Sequence, residues 1–386
     1  MNISDPTERF STKATVLDQA FHLPLVSVVI VNYNYGRFLD QAVDSVFQQT
    51  YPYVECIVVD NASTDETPGV LAAIYDRYPQ AIIIRRDRND GQTAASLDGL
   101  AAASGAYVIF MDADDVLLAH AAETHVFVHL SLRVHVGFTS GDMLQVVGDQ
   151  IVVGTGEALN CYVRSGRGRR RDLVRPYRHR LDSPWPPASL AKSLVGKIHF
   201  VRPLSSKWVW SPTSGICYRR DALHLFSDNP QLAHLWTGTD MYFACGISAL
   251  CGSVIIDEPV FIYRIHGGNV YSRQPQLNHF IVFEPGGAGD SNHESQLLLI
   301  DHLIAKAERF CCSVLQLHYA ALLIRVDQRD NDPRLPHWQQ RSRAGRRLAE
   351  SYESVAAALG ASLTFLLMVW FRVPIRVIAS AIRKRI

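Results

Sequence analysis

VSVVIVNYNYGRFLDQAVDSVFQQTYPYVECIVVDNASTDET, residues 26–67, is the stretch whose reading decides the fold. It opens with a short uncharged run rich in β-branched residues, 26–31, which predicts a buried strand. Residues 37–49 then place Phe38, Leu39, Ala42, Val43, Val46 and Phe47 at helical spacing, and residues 55–60 (ECIVVD) return to strand. Ser63 followed by Glu66 has the form of a capping box and predicts a helix running toward Tyr78. Outward from this stretch the rhythm continues: a strand at 81–85 (AIIIR), an Ala-rich, closely packing helix at 91–104, and a strand at 106–112 (AYVIFMD). Strand and helix in alternation predict a mostly parallel sheet flanked by helices. Such sheets bind ligands at the carboxyl ends of their strands, so the polar residues just after Val31, Val59, Arg85 and Met111 are the ones to weigh.

The chain has 386 residues, which at ~150 per domain suggests two or three units. Hydrophobic residues are 48% and charged residues 19%, enough to bury a core. A net charge of +1 argues against a surface devoted to nucleic acid. Seven scattered Cys without CxxC spacing suggest reduced thiols. Residues 1–24 form a polar lead-in without the apolar core of a secretory signal, so a cytoplasmic setting is expected. The pattern weakens after Gly141. Residues 160–206, rich in Arg and Pro, predict an irregular insertion. Regular structure returns at 208–219, in a helix near 240–250 and in a strand at 253–264. A loop follows at 274–292, then mostly helix. The expected divisions are 1–24, 25–140, 141–275 and 276–386.

The strand at 106–112 runs into Asp112-Ala113-Asp114-Asp115. In extended chain, residues i and i+2 face the same side, so Asp112 and Asp114 point together. Two close carboxylates repel unless a cation lies between them, and hard oxygen donors suit Mg²⁺ or Mn²⁺ bridged to substrate phosphates. A solvated acidic loop is the alternative, and the position after a buried strand favours the site. Asp60 ends the second strand, where an acid serves either a ribose or base or a turn, as Asn61 and Ser63 also do. A nicotinamide-dependent oxidoreductase would need a G-x-G-x-x-G turn after the first strand, but Asn32-Tyr33-Asn34-Tyr35-Gly36 holds a single Gly. A P-loop is also missing from the sequence.

Residues 26–67, together with NDGQTAASLDGLAAASGAYVIFMDADD at 89–115, resemble the nucleotide-binding half of family 2 glycosyltransferases with the GT-A fold. Strand-NYN-helix, VVDNASTD, N-x-GQ and MDADD occur in that order; the likeness is close over 25–118 and looser to about residue 275. The resemblance implies a bacterial cell-surface polysaccharide enzyme with a nucleoside-diphosphate sugar, UDP foremost, as donor. It implies that Asn32, Asn34, Asp60, Asn89, Gly91, Gln92 and Asp112 bind the donor, and that Asp112 and Asp114 hold Mn²⁺ or Mg²⁺. Ser96-Leu97-Asp98-Gly99 stands where the family often has Asn before the Gly, which removes one side-chain contact.

Inverting transfer needs a base for the acceptor hydroxyl. Asp240 in Thr237-Gly238-Thr239-Asp240 matches the Asp of the family's Glu-Asp pair, with Thr239 in place of the Glu. A helix N-terminal acid is the alternative reading. Tyr263-Arg264-Ile265-His266 resembles the family's YR-x-H segment and offers Arg264 and His266 to the diphosphate or metal. Two roles fit Trp210: a platform for a sugar ring and core packing. The QxxRW motif of processive synthases is not found, so one transfer per acceptor is expected.

Eight Arg between 164 and 180 fit a solvated loop, a clamp for acceptor or lipid phosphate, and, last, a nucleic-acid arm. Residues 355–371 carry no charge but are marginal as a span. After Pro374, Phe371, Ile375, Ile378 and Ile382 would share one stripe and Arg372, Arg376 and Arg383 another. That pattern describes an amphipathic tail, 355–386, on an anionic membrane surface. The expected function is a membrane-associated glycosyltransferase on the inner face of the cell membrane, acting on a lipid-linked saccharide acceptor. Transfer to polyprenyl phosphate, a catalytically silent sugar-nucleotide-binding scaffold and a sugar-nucleotide pyrophosphorylase are the alternatives; the last would need a Gly-rich, Arg-containing loop after the first strand.

Overall fold

β1 (Val26–Asn32), β2 (Val54–Asp60), β3 (Ile82–Arg85) and β4 (Tyr107–Asp112) are parallel, in the spatial order β3-β2-β1-β4. This is a computed structural model, which describes residues 22–178, 185–205, 207–269, 288–313, 315–330 and 334–383. β1 lies between β2 and β4, and all its residues except Val31 are buried, as an uncharged β-branched run requires. The registers set Asn32 opposite Asp60 and Val31 opposite Asp112, so three polar strand ends finish on one rim.

Alternation along the strands feeds two cores. Val29, Ile57, Val59, Val108 and Phe110 face one; Val28, Ile30, Val58, Ile109 and Met111 face the other. α1 (Gly36–Phe47) and α2 (Thr67–Arg77) cover the second core, and α3 (Gln92–Ala102) covers the first. The Ala-rich composition of α3 permits a close approach. A Cβ on Gly99 would stand 2.2 Å from Val29 Cγ1, so any larger residue there must push the helix off β1.

Beyond β4 the sheet is mixed. β5 (Val116–Leu117), helix α4 (Ala121–Ser131), β6 (Phe138–Val147), β7 (Gln150–Val153), β8 (Ile198–Val201), β9 (Ile216–Arg219) and β10 (Ser253–Ile265) complete it. The order runs on as β4-β9-β6-β10-β5, with β7 on β6 and β8 on β10. β9 is antiparallel to both β4 and β6, while β6 and β10 share a long parallel ladder. Helices α5 (Glu157–Arg164), α6 (Ala188–Ser193), α7 (Arg220–Ser227) and α8 (Thr239–Cys251) belong to this half. The helical C-terminal region is α9 (Ala288–Ala305), α10 (Ala307–Ser313), α11 (Gln316–Val326), α12 (Arg343–Glu350), α13 (Tyr352–Leu359), α14 (Ala361–Trp370) and α15 (Ile375–Arg383). Its Leu299, Leu323, Leu348, Leu359 and Met368 join the first core, so these helices are part of the body.

Four expectations need correction. Ser63 does not cap α2; its Oγ accepts from Asn32 Nδ2 (3.1 Å) and from Asn34 N (2.9 Å), and the helix starts at Thr67 with Asp65 Oδ1 accepting from Thr67 N. The pattern does not fail at Gly141, because β6 continues to Val147. Its polar Thr139, Ser140 and Asp142 are buried with hydrogen-bond partners, which hides the strand from a hydrophobicity reading. Residues 160–206 are only partly irregular, since they include the end of α5, α6 and β8. The C-terminal stripe faces protein: Phe371 and Ile378 are buried, although Ile375 is 80% exposed. Residues 355–371 break at Gly360 (φ 86°) into α13 and α14, bent by 119°. Among the described residues no single helix is long and apolar enough to cross a membrane. Most of the loop expected at 274–292 lies outside the described residues.

Candidate active site

The rim that ends β1, β2 and β4 is knitted together by side-chain amides. Asn32 Nδ2 donates to Asp60 Oδ1 (3.2 Å), Ser63 Oγ (3.1 Å) and Thr67 Oγ1 (3.1 Å). Asn34 adopts a positive φ of 58° and its Oδ1 accepts from Thr64 N at 2.8 Å. Asn61 Nδ2 donates to Asn89 Oδ1 (2.7 Å) and to the Gly91 carbonyl (3.1 Å), and its Oδ1 accepts from Arg86 (2.6 Å). Gly91, at φ 93°, lets the chain turn into α3 beside Trp236: a Cβ there would meet the Trp236 carbonyl oxygen at 2.6 Å.

These bonds sort the expected donor residues. A cavity of about 580 Å³ is bounded by Asn89, Gly91, Gln92, Asp112 and Asp114. Asn32, Asn34 and Asp60 do not line it. Asn32 is wholly buried and Asp60 is 5% exposed, both held behind the wall by the bonds just described. The wall itself is Tyr33, Tyr35 and Asn61, none of which the sequence reading chose. Each is a direct chain neighbour of a chosen residue, and that adjacency was the available signal.

Three carboxylates gather at this end. Asp112 Oδ1 accepts from Gln92 Nε2 (2.6 Å). Burial, reinforced by Asp114 and Asp240, pushes the Asp112 carboxyl up to about 7. Asp114 Oδ2 meets His266 Nε2 at 2.9 Å and accepts from Asn269 Nδ2 at 3.3 Å. Asp115 is buried, accepts from Ser214 Oγ (2.6 Å), and is raised well above the usual carboxylate range by burial and then by Asp114 and Asp112. Arg264 lies beside them with its guanidinium 5.1 Å from the Phe38 ring. Its Nη2 is buried with no hydrogen-bond partner among the described residues. Neither Arg264 nor His266 lines the cavity; His266 acts on it through Asp114.

The opposite wall holds Asp240 in the first turn of α8, where the helix dipole favours a negative charge. Its Oδ1 accepts from Met241 N (2.7 Å) and its Oδ2 from Thr213 Oγ1 (3.4 Å). Burial raises its pKa against these bonds. Trp208, Trp236 and Met241 also line the cavity, and the Trp236 carbonyl accepts from Gln92 N (2.8 Å) at the start of α3. Trp210 does not line it: it is 2% exposed, donates from Nε1 to Ser253 Oγ (2.9 Å) and packs edge-on to Phe138. Of the two roles open to it, core packing is the one it has. Trp208 and Trp236 take the aromatic positions at the cavity.

A family model described as glycosyl transferase family 2 matches residues 27–130. The chain carries a family 2 glycosyltransferase domain. The matched span contains Asn61, Asn89, Gln92, Asp112 and Asp114, while Asp240 and Trp236 lie beyond it. Its relatives include an uncharacterized glycosyltransferase of Nostoc sp., 30% identical over 63% of this chain and 66% of that one. Another is the putative teichuronic acid biosynthesis glycosyltransferase TuaG of Bacillus subtilis, 38% identical over 24% of this chain and 36% of that one. The chain thus spans just under two thirds of the first relative's length and about a third of the second's. A crystal structure of S. aureus TarS 1–349 in complex with UDP matches with a TM-score of 0.48 at 15% identity, covering 90% of this chain and 87% of that one.

The glycosyltransferase domain offers hard oxygen donors to a divalent ion. Among the described residues, no group of three or more His, Cys, Asp or Glu side chains surrounds one point. Asp112 and Asp114 both present carboxylate oxygens to the cavity and would hold such an ion, which would relieve the repulsion that, after burial, raises Asp112.

Proposed function

We propose that this protein transfers a sugar, with inversion, from a nucleoside diphosphate, UDP foremost, to a hydroxyl of a saccharide acceptor in surface-polysaccharide synthesis. The observation that carries the reading is the convergence of Asp112, Asp114 and Asp240 on one cavity that Trp208 and Trp236 also line. Tyr33, Asn61 and Asn89 receive the nucleoside; Gln92 and Asp112 orient the ribose and diphosphate. When bound by Asp112 and Asp114, Mn²⁺ or Mg²⁺ would neutralise charge on the departing diphosphate. Asp240 takes the acceptor hydroxyl proton as the oxygen bonds to the anomeric carbon, and the anomeric carbon–phosphate oxygen bond breaks with its electron pair leaving on the diphosphate. Burial makes Asp240 a stronger base than an exposed carboxylate. Trp208 and Trp236 seat the acceptor ring. Thermal melts with UDP, GDP and dTDP, each with and without Mn²⁺, test the donor: a UDP shift that requires Mn²⁺ is expected. No shift with any nucleotide would sink the donor site.

The C-terminal corner supports membrane association through a different face from the expected stripe. Leu366 is 59% exposed, Val369 49% and Trp370 64%, one face of α14, next to Ile375 at 80%. Arg372 and Arg376 flank them, and the sequence has no Asp or Glu after Glu353. An apolar wedge ringed by Arg suits an anionic bilayer interface. Leu366→Glu with Trp370→Glu should abolish co-flotation with phosphatidylglycerol vesicles and leave the melt unchanged. Flotation equal to that of the parent chain would remove the assignment. Deleting 355–386 is a poorer test, because Leu359, Leu367 and Met368 belong to the core.

A further inference from the structure

Two contacts between the donor side and the base side of the cavity have no part in the transfer chemistry itself. α3 and α8 meet at their first turns, and neither helix has a side-chain cap of its own. Gln92 N, the first amide of α3, has no partner within its helix and donates to the Trp236 carbonyl (2.8 Å). One residue further on, Thr93 Oγ1 and Thr239 Oγ1 share a hydrogen bond of 2.7 Å. Thr93 is fully buried and Thr239 is 2% exposed, and among the described residues neither hydroxyl has another hydrogen-bond partner.

Each threonine is next in the chain to a residue that lines the cavity: Gln92 before Thr93, Asp240 after Thr239. The first turn of α3 is held to the strand ends, since Gln92 Nε2 donates to Asp112 Oδ1 (2.6 Å) and the Gly91 carbonyl accepts from Asn61 Nδ2 (3.1 Å). Asp240 has less to fix it. Its carboxylate accepts from the amide of its own neighbour Met241 and, at 3.4 Å, from Thr213, so the path of the first turn of α8 decides where it sits. That turn is tied to α9 by Ser295 Oγ, which donates to the Gly238 carbonyl (3.1 Å), and to α3 by the threonine pair.

Stability does not call for this pair. Replacing two mutually bonded buried hydroxyls by apolar groups of like shape is close to neutral, so valines would hold the helices together about as well. What the hydroxyls add is direction. A hydrogen bond weakens steeply away from its preferred length and angle, so it sets the two turns in one register where apolar packing would tolerate a slide.

We propose that Thr93 and Thr239 are positioning residues: their hydroxyl bond sets the first turn of α8 against the first turn of α3, and so holds the Asp240 carboxylate at a fixed place relative to a donor bound at Gln92 and Asp112. The proposal rests on the transferase reading. Misplacing a reacting group by about 1 Å costs on the order of 100-fold in rate, which is the scale of effect that a slipped turn would produce.

The test uses the full chain, the pair Thr93→Val/Thr239→Val, and the pair Thr93→Ser/Thr239→Ser, which keeps both hydroxyls. Amide hydrogen exchange with and without UDP and Mn²⁺ reads the coupling without turnover. UDP should slow exchange at 92–95 and at 239–243 in the parent chain and the serine pair, but at 92–95 alone in the valine pair. Release of UDP from UDP-glucose or UDP-N-acetylglucosamine in water reads the base. Water takes the place of the acceptor hydroxyl at the anomeric carbon and gives its proton to Asp240, and UDP leaves with the electron pair of the broken bond. The valine pair should lose about tenfold or more in kcat, with KM, UDP affinity and melting temperature as in the parent, and the serine pair should keep the parent's rate. Protection at 239–243 in the valine pair, its absence there in a parent chain protected at 92–95, a valine-pair rate equal to the parent's, or a serine pair as slow as the valine pair overturns the proposal and leaves the donor reading standing. If the valine pair melts well below the parent, Thr93→Ala/Thr239→Ala against the serine pair makes the same comparison, because those two differ only by the hydroxyls. UDP that protects neither segment in the parent removes the donor reading, and the proposal falls with it.

Discussion

Along the rim of β1, β2 and β4, polar side chains bond to one another: Asn32 to Asp60, Asn61 to Asn89 and Arg86, Gln92 to Asp112. Across the cavity, Asp240 has one backbone N–H and a long Thr213 hydroxyl contact, and Trp208, Trp236 and Met241 add apolar surface to the same cavity. The first wall is arranged before any ligand arrives, which suits a polar partner with fixed positions for base, ribose and phosphates. The second keeps a carboxylate in apolar surroundings, which raises its basicity and leaves aromatic surface for a ring. On the proposed reading, one wall fixes the donor and the other activates and seats the acceptor.

Asp240→Asn should break this division most sharply. It keeps the size and the Met241 contact but removes the base, so turnover of a UDP-sugar should fall about 10³-fold, with UDP affinity unchanged by calorimetry. Full turnover would move the base elsewhere. Asp114→Ala acts on the opposite wall. UDP affinity in Mn²⁺ should fall on the order of 100-fold, while any affinity without metal stays as it was. An unchanged Mn²⁺ dependence would show that the rim carboxylates do not hold an ion.

The two walls also differ in how far they could be read from the sequence. The parallel half was legible because uncharged β-branched strands and an Ala-rich helix carry clear periodicity, and because strand ends mark where ligands sit. Asp112 followed from that placement, and Asn89 and Gln92 from the N-x-GQ motif of the family resemblance. Asn32 and Asp60, expected as contact residues, do not line the cavity, because sequence order cannot show whether a rim side chain points into it or sideways to its neighbours. On the second wall, β6 was obscured by buried Thr139, Ser140 and Asp142, whose polarity is met by tertiary partners no local pattern contains. Trp210 and Trp208 sit two residues apart, and only the fold decides which one reaches the cavity.

Trp236→Ala probes one of the two indoles proposed to seat the acceptor. Trp236 is 55% exposed, so its removal leaves no large void. Loss of ring stacking should raise the KM for a saccharide acceptor about tenfold, with kcat and UDP affinity nearly unchanged. Weakened UDP binding instead would mean that this side chain serves the donor, and the two walls would not be functionally separate.

The smallest effect tests whether the parallel half is braced at the end away from the rim. Glu55, near the start of β2, accepts from Ser27 Oγ (2.5 Å), Ser104 N (2.7 Å), Ser104 Oγ (2.8 Å) and Gly105 N (3.1 Å), tying β2 to β1 and to the approach to β4. Burial pushes its carboxyl up, but these four donors outweigh burial and hold it below the usual glutamate range. A folded-state pKa below the unfolded value of about 4.3 gives stability that is present above that value and lost as pH falls through the folded one. Because Glu55 is partly exposed, solvent screening limits the effect to about 1 kcal/mol. Glu55→Gln should therefore melt earlier than the parent chain at pH 7, by a few degrees, and the gap should close on acidification toward about pH 3. A gap that persists unchanged at low pH would mean that shape rather than charge at Glu55 holds the strands, and the bracing of the parallel half would rest on packing alone.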